Sequence, residues 1–190
     1  MFELKFDTPQ AWTDAVMADF DSFLQDHAGA EKKASGMAMA LLSHYPDKAK
    51  LVRAMTDLAI EELIHFKQVL KLMVARNVML GNDKKDPYIN QIRQLFRNGT
   101  NLFLMDRLLV AAVIEARGHE KFWLVSKALP AGRDKDFYVA IAKSEEKHKN
   151  LFVELAYEYF DEAEVNERLE EILVVEAEIC KALPIKAILH

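Results

Sequence analysis

The chain has 190 residues, and half of them are hydrophobic, which suits one domain with a sizeable core. Its formal net charge of −5 argues mildly against nucleic acid as a bulk electrostatic partner, although a local basic patch remains compatible with it. The one cysteine, Cys180, cannot form an internal disulfide. This favours a reducing cytoplasm and restricts any metal site to Glu, Asp and His ligands. The first ten residues lack a signal-peptide pattern, and no apolar run is long enough to span a membrane.

The first half of the chain is predicted to be helical. Thr8-Pro9 has the pattern of an N-cap followed by proline in the first turn. A short helix is therefore expected from residue 9 to about residue 24, continuing after a kink to about residue 43. A long helix follows over residues 46–77, and Gly81-Asn82-Asp83 forms a turn.

The second half repeats this arrangement. A short helix is predicted over residues 87–97, a turn over 98–101, and long helices over 102–128 and 134–160. A last helix covers residues 161–182, and no segment shows strand alternation. Four long helices with short or medium connections predict an all-α, antiparallel four-helix bundle with additional short helices. We expect it to be a single domain spanning residues 1–190.

Each long helix carries a glutamate in the middle of its apolar stripe, namely Glu31, Glu62, Glu115 and Glu145. A buried carboxylate is tolerated when it is neutralised, paired or bound to a cation. Four carboxylates in one core would repel each other strongly, and two divalent cations would cancel their formal charges. The pattern therefore predicts a metal site rather than an unspecialised bundle.

The spacing of the histidines supports this prediction. Glu62 and His65, and likewise Glu145 and His148, form Glu-x-x-His pairs whose side chains project to one side of a helix. Glu31 precedes Glu62 by 31 residues and Glu115 precedes Glu145 by 30, so the chain reads as two similar helix pairs. The prediction is a dimetal centre with one metal near each histidine. Its ligands would be Glu31, Glu62, His65, Glu115, Glu145 and His148. A coincidental set of surface salt-bridge residues is the alternative.

Other polar side chains flank these positions. His27 lies four residues before Glu31 and His119 four residues after Glu115; each either supports a ligand or is a hydrogen-bonded core histidine, which is the commoner role. Glu120 could compete with Glu115 as a ligand, although its helix face is less apolar. Glu61 and Glu146 adjoin candidate ligands and should point away from the site. Core packing is the expected role of Tyr45, Tyr138 and Tyr157. Cys180 is expected to be inert.

Carboxylates with two imidazoles suit iron or manganese better than structural zinc. Two reduced irons held in this way can together reduce dioxygen, and the protein would supply geometry, open coordination positions and a dry pocket. The outcome could be hydroxylation of an unactivated C–H bond, or only oxidation of iron for storage. The six ligands alone do not choose between these.

Three strings resemble the tRNA hydroxylases of the ferritin-like superfamily, which act on 2-methylthio-isopentenyladenosine beside the anticodon. They are DHAGAEKKA at residues 26–34, IEAR at 114–117 and SEEKH at 144–148, and the resemblance runs over about residues 10–180. It implies a nonhaem diiron monooxygenase that hydroxylates the terminal isopentenyl carbon. Dioxygen and two electrons from a reductase or ferredoxin would be required, and the six residues named above would bind the irons. Gly118-His119 departs from the family, in which a cysteine or small polar residue often follows the second string.

A tRNA substrate would need cationic side chains at the phosphates. The candidates are Lys32, Lys33, Lys84, Lys85, Arg93, Arg97 and Arg107, of which Arg93 and Arg97 are predicted one turn apart on the short helix. For any one of them, a solvated charged surface is the commoner explanation. The competing functions are a rubrerythrin-like peroxidase or small-molecule oxidase, iron storage, and a metal-free interaction module. The chain lacks the paired cysteines of a rubredoxin domain.

Overall fold

The computed structural model describes residues 2–83 and 85–189, and its regular structure is helical. By their contacts the described residues divide into two compact units, residues 11–83 with 186–189, and residues 2–10 with 85–185. A single domain over residues 1–190 stays a prediction. The helices are α1 (Gln10–Ala18), α2 (Phe20–His44), α3 (Ala49–Ala75), α4 (Pro87–Ile92), α5 (Thr100–Ala128), α6 (Arg133–Tyr159) and α7 (Glu162–Ala182).

Two helix ends in the first unit differ from the predicted ones. The break between α1 and α2 falls at Asp19 rather than near residue 24, because the Asp19 carboxylate accepts a hydrogen bond from the Ser22 amide at 3.2 Å. This N-cap starts a new helix. Helix α3 begins at Ala49 rather than at residue 46, since the chain turns there and the Lys48 amide donates to the Tyr45 carbonyl.

In the second unit, Asp86 caps α4 by accepting from the amides of Tyr88 and Ile89 at 2.9 and 3.1 Å. Pro87 occupies the first turn, where its missing amide hydrogen costs nothing. Helix α4 ends at Ile92 and tightens into a 3₁₀ turn over Arg93–Leu95, so it is shorter than predicted. Arg97 consequently lies outside it, and the prediction that Arg93 and Arg97 share a helix is wrong.

Helices α2 and α3 form an antiparallel hairpin in the first unit. Their buried positions recur at intervals of three and four residues, as expected for helices with one inward face. The Ser35 hydroxyl crosses between them and donates to the Ala59 carbonyl at 2.8 Å. At the open end of the hairpin, Arg76 pairs with Asp21 at 2.8 Å.

Helices α5 and α6 form the corresponding hairpin in the second unit, and α7 packs against α5. Helix α5 is buried on all sides along the run Leu108–Val113, which identifies it as the central helix of its unit. Gly132 precedes α6 with φ +148°, a backbone conformation that side-chain-bearing residues rarely adopt. The His119 Nδ1–H donates to the Ala142 carbonyl at 2.6 Å and links α5 to α6.

A buried ion pair joins α5 to α7. The Arg117 guanidinium, only 1% exposed, donates to both carboxylate oxygens of Glu176, at 2.8 and 3.0 Å. Tyr88 of α4 also donates to this carboxylate at 3.2 Å, and so does the Cys180 thiol at 3.1 Å.

Burial raises the pKa of Cys180 to about 12, which keeps it a thiol. The expectation that Cys180 is unreactive agrees with this environment.

Among residues 2–83 and 85–189, no helix is both long and apolar enough to cross a membrane.

Replacing Arg117 by methionine is expected to destabilise the protein by about 3–5 kcal/mol, because the Glu176 carboxylate would remain buried without its cation. Urea unfolding measures the loss. The matched control is Lys181→Met, which removes an exposed pair with Glu178 on the same helix α7. That variant should lose less than about 1 kcal/mol. Equal losses in the two variants would contradict a dominant role for the buried pair.

Candidate metal centre

The first unit contains one cluster of two carboxylates and an imidazole. Helix α2 contributes Glu31, and α3 contributes Glu62 and His65 from successive turns. The side chains are almost fully buried, and one ligand atom from each lies within 4.8 Å of the others. His65 Nδ1 is 3.3 Å from Glu62 Oε2 and 3.7 Å from Glu31 Oε2. These donor atoms lie close enough together to bind one metal ion.

The electrostatics of this cluster reflect its burial. Desolvation raises the pKa of Glu31 even though hydrogen bonds from His27 and His65 act in the opposite direction. Burial alone would lower the pKa of His65, but its hydrogen bonds to Glu31 and Glu62 outweigh that effect and raise the pKa to about 9. A proton on His65 therefore offsets part of the carboxylate charge, and a metal cation would take its place.

The second unit contains the corresponding cluster. Helix α5 contributes Glu115, and α6 contributes Glu145 and His148. All three are buried, and one ligand atom from each lies within 4.8 Å of the others. His148 Nδ1 lies 3.9 Å from Glu115 Oε2 and 4.0 Å from Glu145 Oε2. The six predicted side chains thus form two triads of the same composition, one in each hairpin; their assignment as metal ligands stays a prediction.

Gly118 borders the second triad. A Cβ atom added to it would lie 3.6 Å from Glu145 Oε2 and 3.8 Å from Phe122 Cε2, which is ordinary van der Waals contact. The residue that follows the IEAR string therefore faces a candidate ligand. Its neighbour His119 binds the backbone of α6 instead and does not reach Glu115.

The polar residues that flank the candidate ligands differ in their contacts. His27 is fully buried, and its Nε2 lies 2.6 Å from Glu31 Oε1, so it supports a candidate ligand. Glu120 is engaged away from the triad, where it accepts hydrogen bonds from Thr8 and pairs with Arg117. Glu61 and Glu146 are exposed, as expected, although Glu61 Oε1 still approaches His65 Nε2 at 3.9 Å.

The three tyrosines and two of the cationic candidates also have defined positions. Tyr45 and Tyr138 are buried as predicted, whereas Tyr157 is exposed and donates to Asn166 at 2.6 Å, so core packing is wrong for it. Lys32 pairs with Asp83 at 2.8 Å. Arg97 binds Asp106 at 2.8 Å. Lys84, also proposed as a phosphate contact, lies outside the described residues.

Sequence reasoning passed over one polar residue beside the first triad. Ser35 lies four residues after Glu31 and uses its hydroxyl to join α2 to α3. A serine among the alanines of an apolar stripe was the available signal, since a buried hydroxyl normally has a hydrogen-bond partner.

Three comparisons place the chain among known proteins. Residues 2–190 match the sequence model of the family described as tRNA-(MS[2]IO[6]A)-hydroxylase (MiaE). The Pseudomonas putida tRNA 2-(methylsulfanyl)-N(6)-isopentenyladenosine(37) hydroxylase is 36% identical over 178 residues, which are 92% of this chain and 85% of that protein. The enzyme of the same name from Salmonella typhimurium is 31% identical over 157 residues, which are 81% of this chain and 56% of that protein.

The fold also has a solved counterpart. A Synechococcus structure, titled protein 43 with aldehyde deformylating oxygenase activity, matches with a TM-score of 0.95 and 30% identity. The match covers all of this chain and 96% of that one. The predicted fold class, an all-α ferritin-like bundle with additional short helices, is confirmed.

Metal binding to the Glu31–Glu62–His65 triad is expected to release protons, because the raised pKa of about 9 leaves His65 protonated at neutral pH. Affinity for Fe²⁺ should therefore rise with pH and level off above about 9. Anaerobic calorimetry at pH 7 in two buffers of different ionisation enthalpy measures the protons released. Equal apparent enthalpies in both buffers would contradict this expectation.

Proposed function

Because the chain belongs to the tRNA-(MS[2]IO[6]A)-hydroxylase (MiaE) family, we propose that it hydroxylates the isopentenyl group of 2-methylthio-isopentenyladenosine in tRNA. The protein is accordingly an enzyme, a monooxygenase of the diiron class. We propose the anticodon-adjacent adenosine as the substrate nucleoside and the cytoplasm as the place where the enzyme meets its tRNA.

The observation that carries this proposal is the pair of buried Glu/Glu/His triads, one in each hairpin. Four carboxylates and two imidazoles are hard or borderline donors that suit iron. The raised pKa values of Glu31 and His65 show that the metal-free first triad holds more negative charge than its surroundings solvate well. The residues therefore fit a cation, and we propose that each triad holds one iron of a diiron centre.

Bound iron would supply the redox chemistry that activates dioxygen. The overall reaction replaces a C–H bond by C–OH, and the second oxygen atom leaves as water after uptake of two electrons and two protons. We propose that a reductase or a ferredoxin supplies these electrons. The chain's own contribution is to hold the ligands and exclude water. Leu24, Phe122 and Phe152 are fully buried on the helix faces that carry the triads.

One helix has a net negative charge as large as that of the whole chain. Helix α7 has seven glutamates against one arginine and one lysine, a net −5 that equals the formal charge of the whole chain. Six of these glutamates are exposed, all except Glu176. Since phosphate is repelled by such a surface, we propose that tRNA contacts other parts of the molecule, where charges of opposite sign balance.

The proposed activity can be tested by nucleoside mass analysis. Iron-loaded, reduced protein is incubated with dioxygen and tRNA that carries 2-methylthio-isopentenyladenosine. The expected product nucleoside is heavier by one oxygen atom. No added oxygen, with iron bound and a working reductant, would reject the tRNA hydroxylase function.

Ligand variants test the iron site separately. Glu62→Ala and His148→Ala should each reduce bound iron from two equivalents and abolish hydroxylation, because each removes a donor from one triad. Glu146→Ala is the matched control, since Glu146 adjoins a candidate ligand but is exposed. Full iron content in either ligand variant would overturn the ligand assignment.

The similarity to the Synechococcus structure favours a second candidate function. Its 30% identity over the whole chain supports aldehyde deformylation as the alternative activity of the same centre. Supplying an aldehyde in place of tRNA and assaying formate distinguishes the two activities. Formate release from the aldehyde, together with no oxygen added to the modified tRNA, would favour the aldehyde reaction.

A further inference from the structure

The two hairpins repeat each other beyond the ligands themselves. Four residues after Glu31, the Ser35 hydroxyl donates to the carbonyl of Ala59, which lies three residues before Glu62. Four residues after Glu115, the His119 imidazole donates to the carbonyl of Ala142, which lies three residues before Glu145. The same two positions are therefore joined by a hydrogen bond in each hairpin. This fixes the residue-by-residue correspondence between the two halves.

The correspondence fails at one buried position. Four residues before Glu31 is His27, whereas four residues before Glu115 is Ala111. Both side chains lie inside the fold. A helical side chain leans toward the N-terminal end of its helix, so a glutamate naturally reaches the residue four positions earlier. Glu31 meets an imidazole there, while the equivalent position before Glu115 is occupied by alanine.

The contact that results occupies one oxygen of the Glu31 carboxylate. His27 Nε2 lies 2.6 Å from Glu31 Oε1, and an ionised carboxylate only accepts, so Nε2 carries the donated proton. Phe23, one turn earlier, packs beside the imidazole ring at a centroid distance of 5.9 Å. The other oxygen, Oε2, is the one that faces His65. The carboxylate is thus oriented by a buried, packed donor.

Glu115 is held differently. Among residues 2–83 and 85–189, the ion-pair contact of its carboxylate is with His148 at 3.9 Å, a group of the same triad. With alanine at position 111, Glu115 lacks the imidazole that orients Glu31 from the preceding turn. The two triads have the same ligands but different supporting groups.

We infer that His27 is a positioning residue that presents a single oxygen of Glu31 to the metal and makes the two metal sites unequal. The inference rests on the proposed diiron function. Groups that hydrogen-bond to metal ligands commonly change metal affinity by about 10–100-fold. The first-unit site should therefore fill before the second-unit site, and its ligand set should be the more rigid of the two.

The test is an anaerobic titration of the apoprotein with ⁵⁷Fe²⁺, followed by Mössbauer spectroscopy. In the wild-type protein we expect two quadrupole doublets, the first nearly filled before the second grows. His27→Phe keeps a packed ring but removes the donor, and it should weaken the first binding step by about tenfold or more. His27→Gln places an amide donor near the same point and should restore stepwise filling.

His44→Phe is the matched control. It makes the same exchange on the same helix α2, but His44 is exposed and binds the Ala40 carbonyl rather than a candidate ligand. Its titration should resemble the wild type. Stepwise filling in His27→Phe would overturn the inference. If that variant does not fold, the wild-type titration still decides, because simultaneous growth of both doublets would contradict unequal sites. Failure of the wild type to bind two irons would instead reject the proposed function.

Discussion

The desolvation of four carboxylates is the constraint on which the rest of this structure depends. Taking an ionised carboxylate out of water costs several kcal/mol, and each hairpin buries two such carboxylates. Glu62 is 1% exposed and Glu145 is 5% exposed, at positions where an aliphatic side chain would fill the core. Such an arrangement is tolerable when cations or donors lie nearby. The histidines of the two triads, and the metals proposed for them, meet that requirement.

The helices must also keep a fixed register if the triads are to form. In each hairpin a side chain of one helix binds a backbone carbonyl of the other, at equivalent positions near Ala59 and Ala142. These bonds oppose sliding of one helix along the other. A shift of a single residue would rotate a glutamate by about 100° away from its partners. The hydrogen bonds near the metal centre are therefore part of its construction even though they touch no ligand.

Much of this organisation is visible in the sequence because it depends on helical periodicity. The interiors of the long helices and the composition of both triads follow from spacings of three and four residues. Helix ends were less predictable, since a single side chain decides them. The Asp19 cap moved one boundary by several residues, and the turn at Tyr45 moved another. The role of Lys32 depended on Asp83, which lies 51 residues along the chain in a loop, and that of Arg97 on Asp106 of the next helix; composition reveals neither pairing.

The flanking histidines show where such reasoning ends. His27 and His119 are each four residues from a glutamate, and the sequence treats them alike. The direction in which helical side chains lean distinguishes them, because Glu31 points toward His27 while His119 finds a carbonyl on the neighbouring helix. Which of two nearby hydrogen-bond partners a histidine contacts depends on the tertiary structure, and the sequence alone does not reveal it. Buried Arg117 is a similar case, since its partner Glu176 comes from a distant helix.

The charge of α7 has a consequence for how the enzyme meets a polyanion. The net charge of α7 equals the formal charge of the whole chain, so the remaining residues are neutral on average. Near a nucleic acid the phosphates would repel α7 more strongly than the other helices, which disfavours approaches that bring α7 first. Added salt limits this repulsion to distances of about a Debye length, about 10 Å at 0.1 M. Repulsion from one helix can thereby guide productive approach through the rest of the surface.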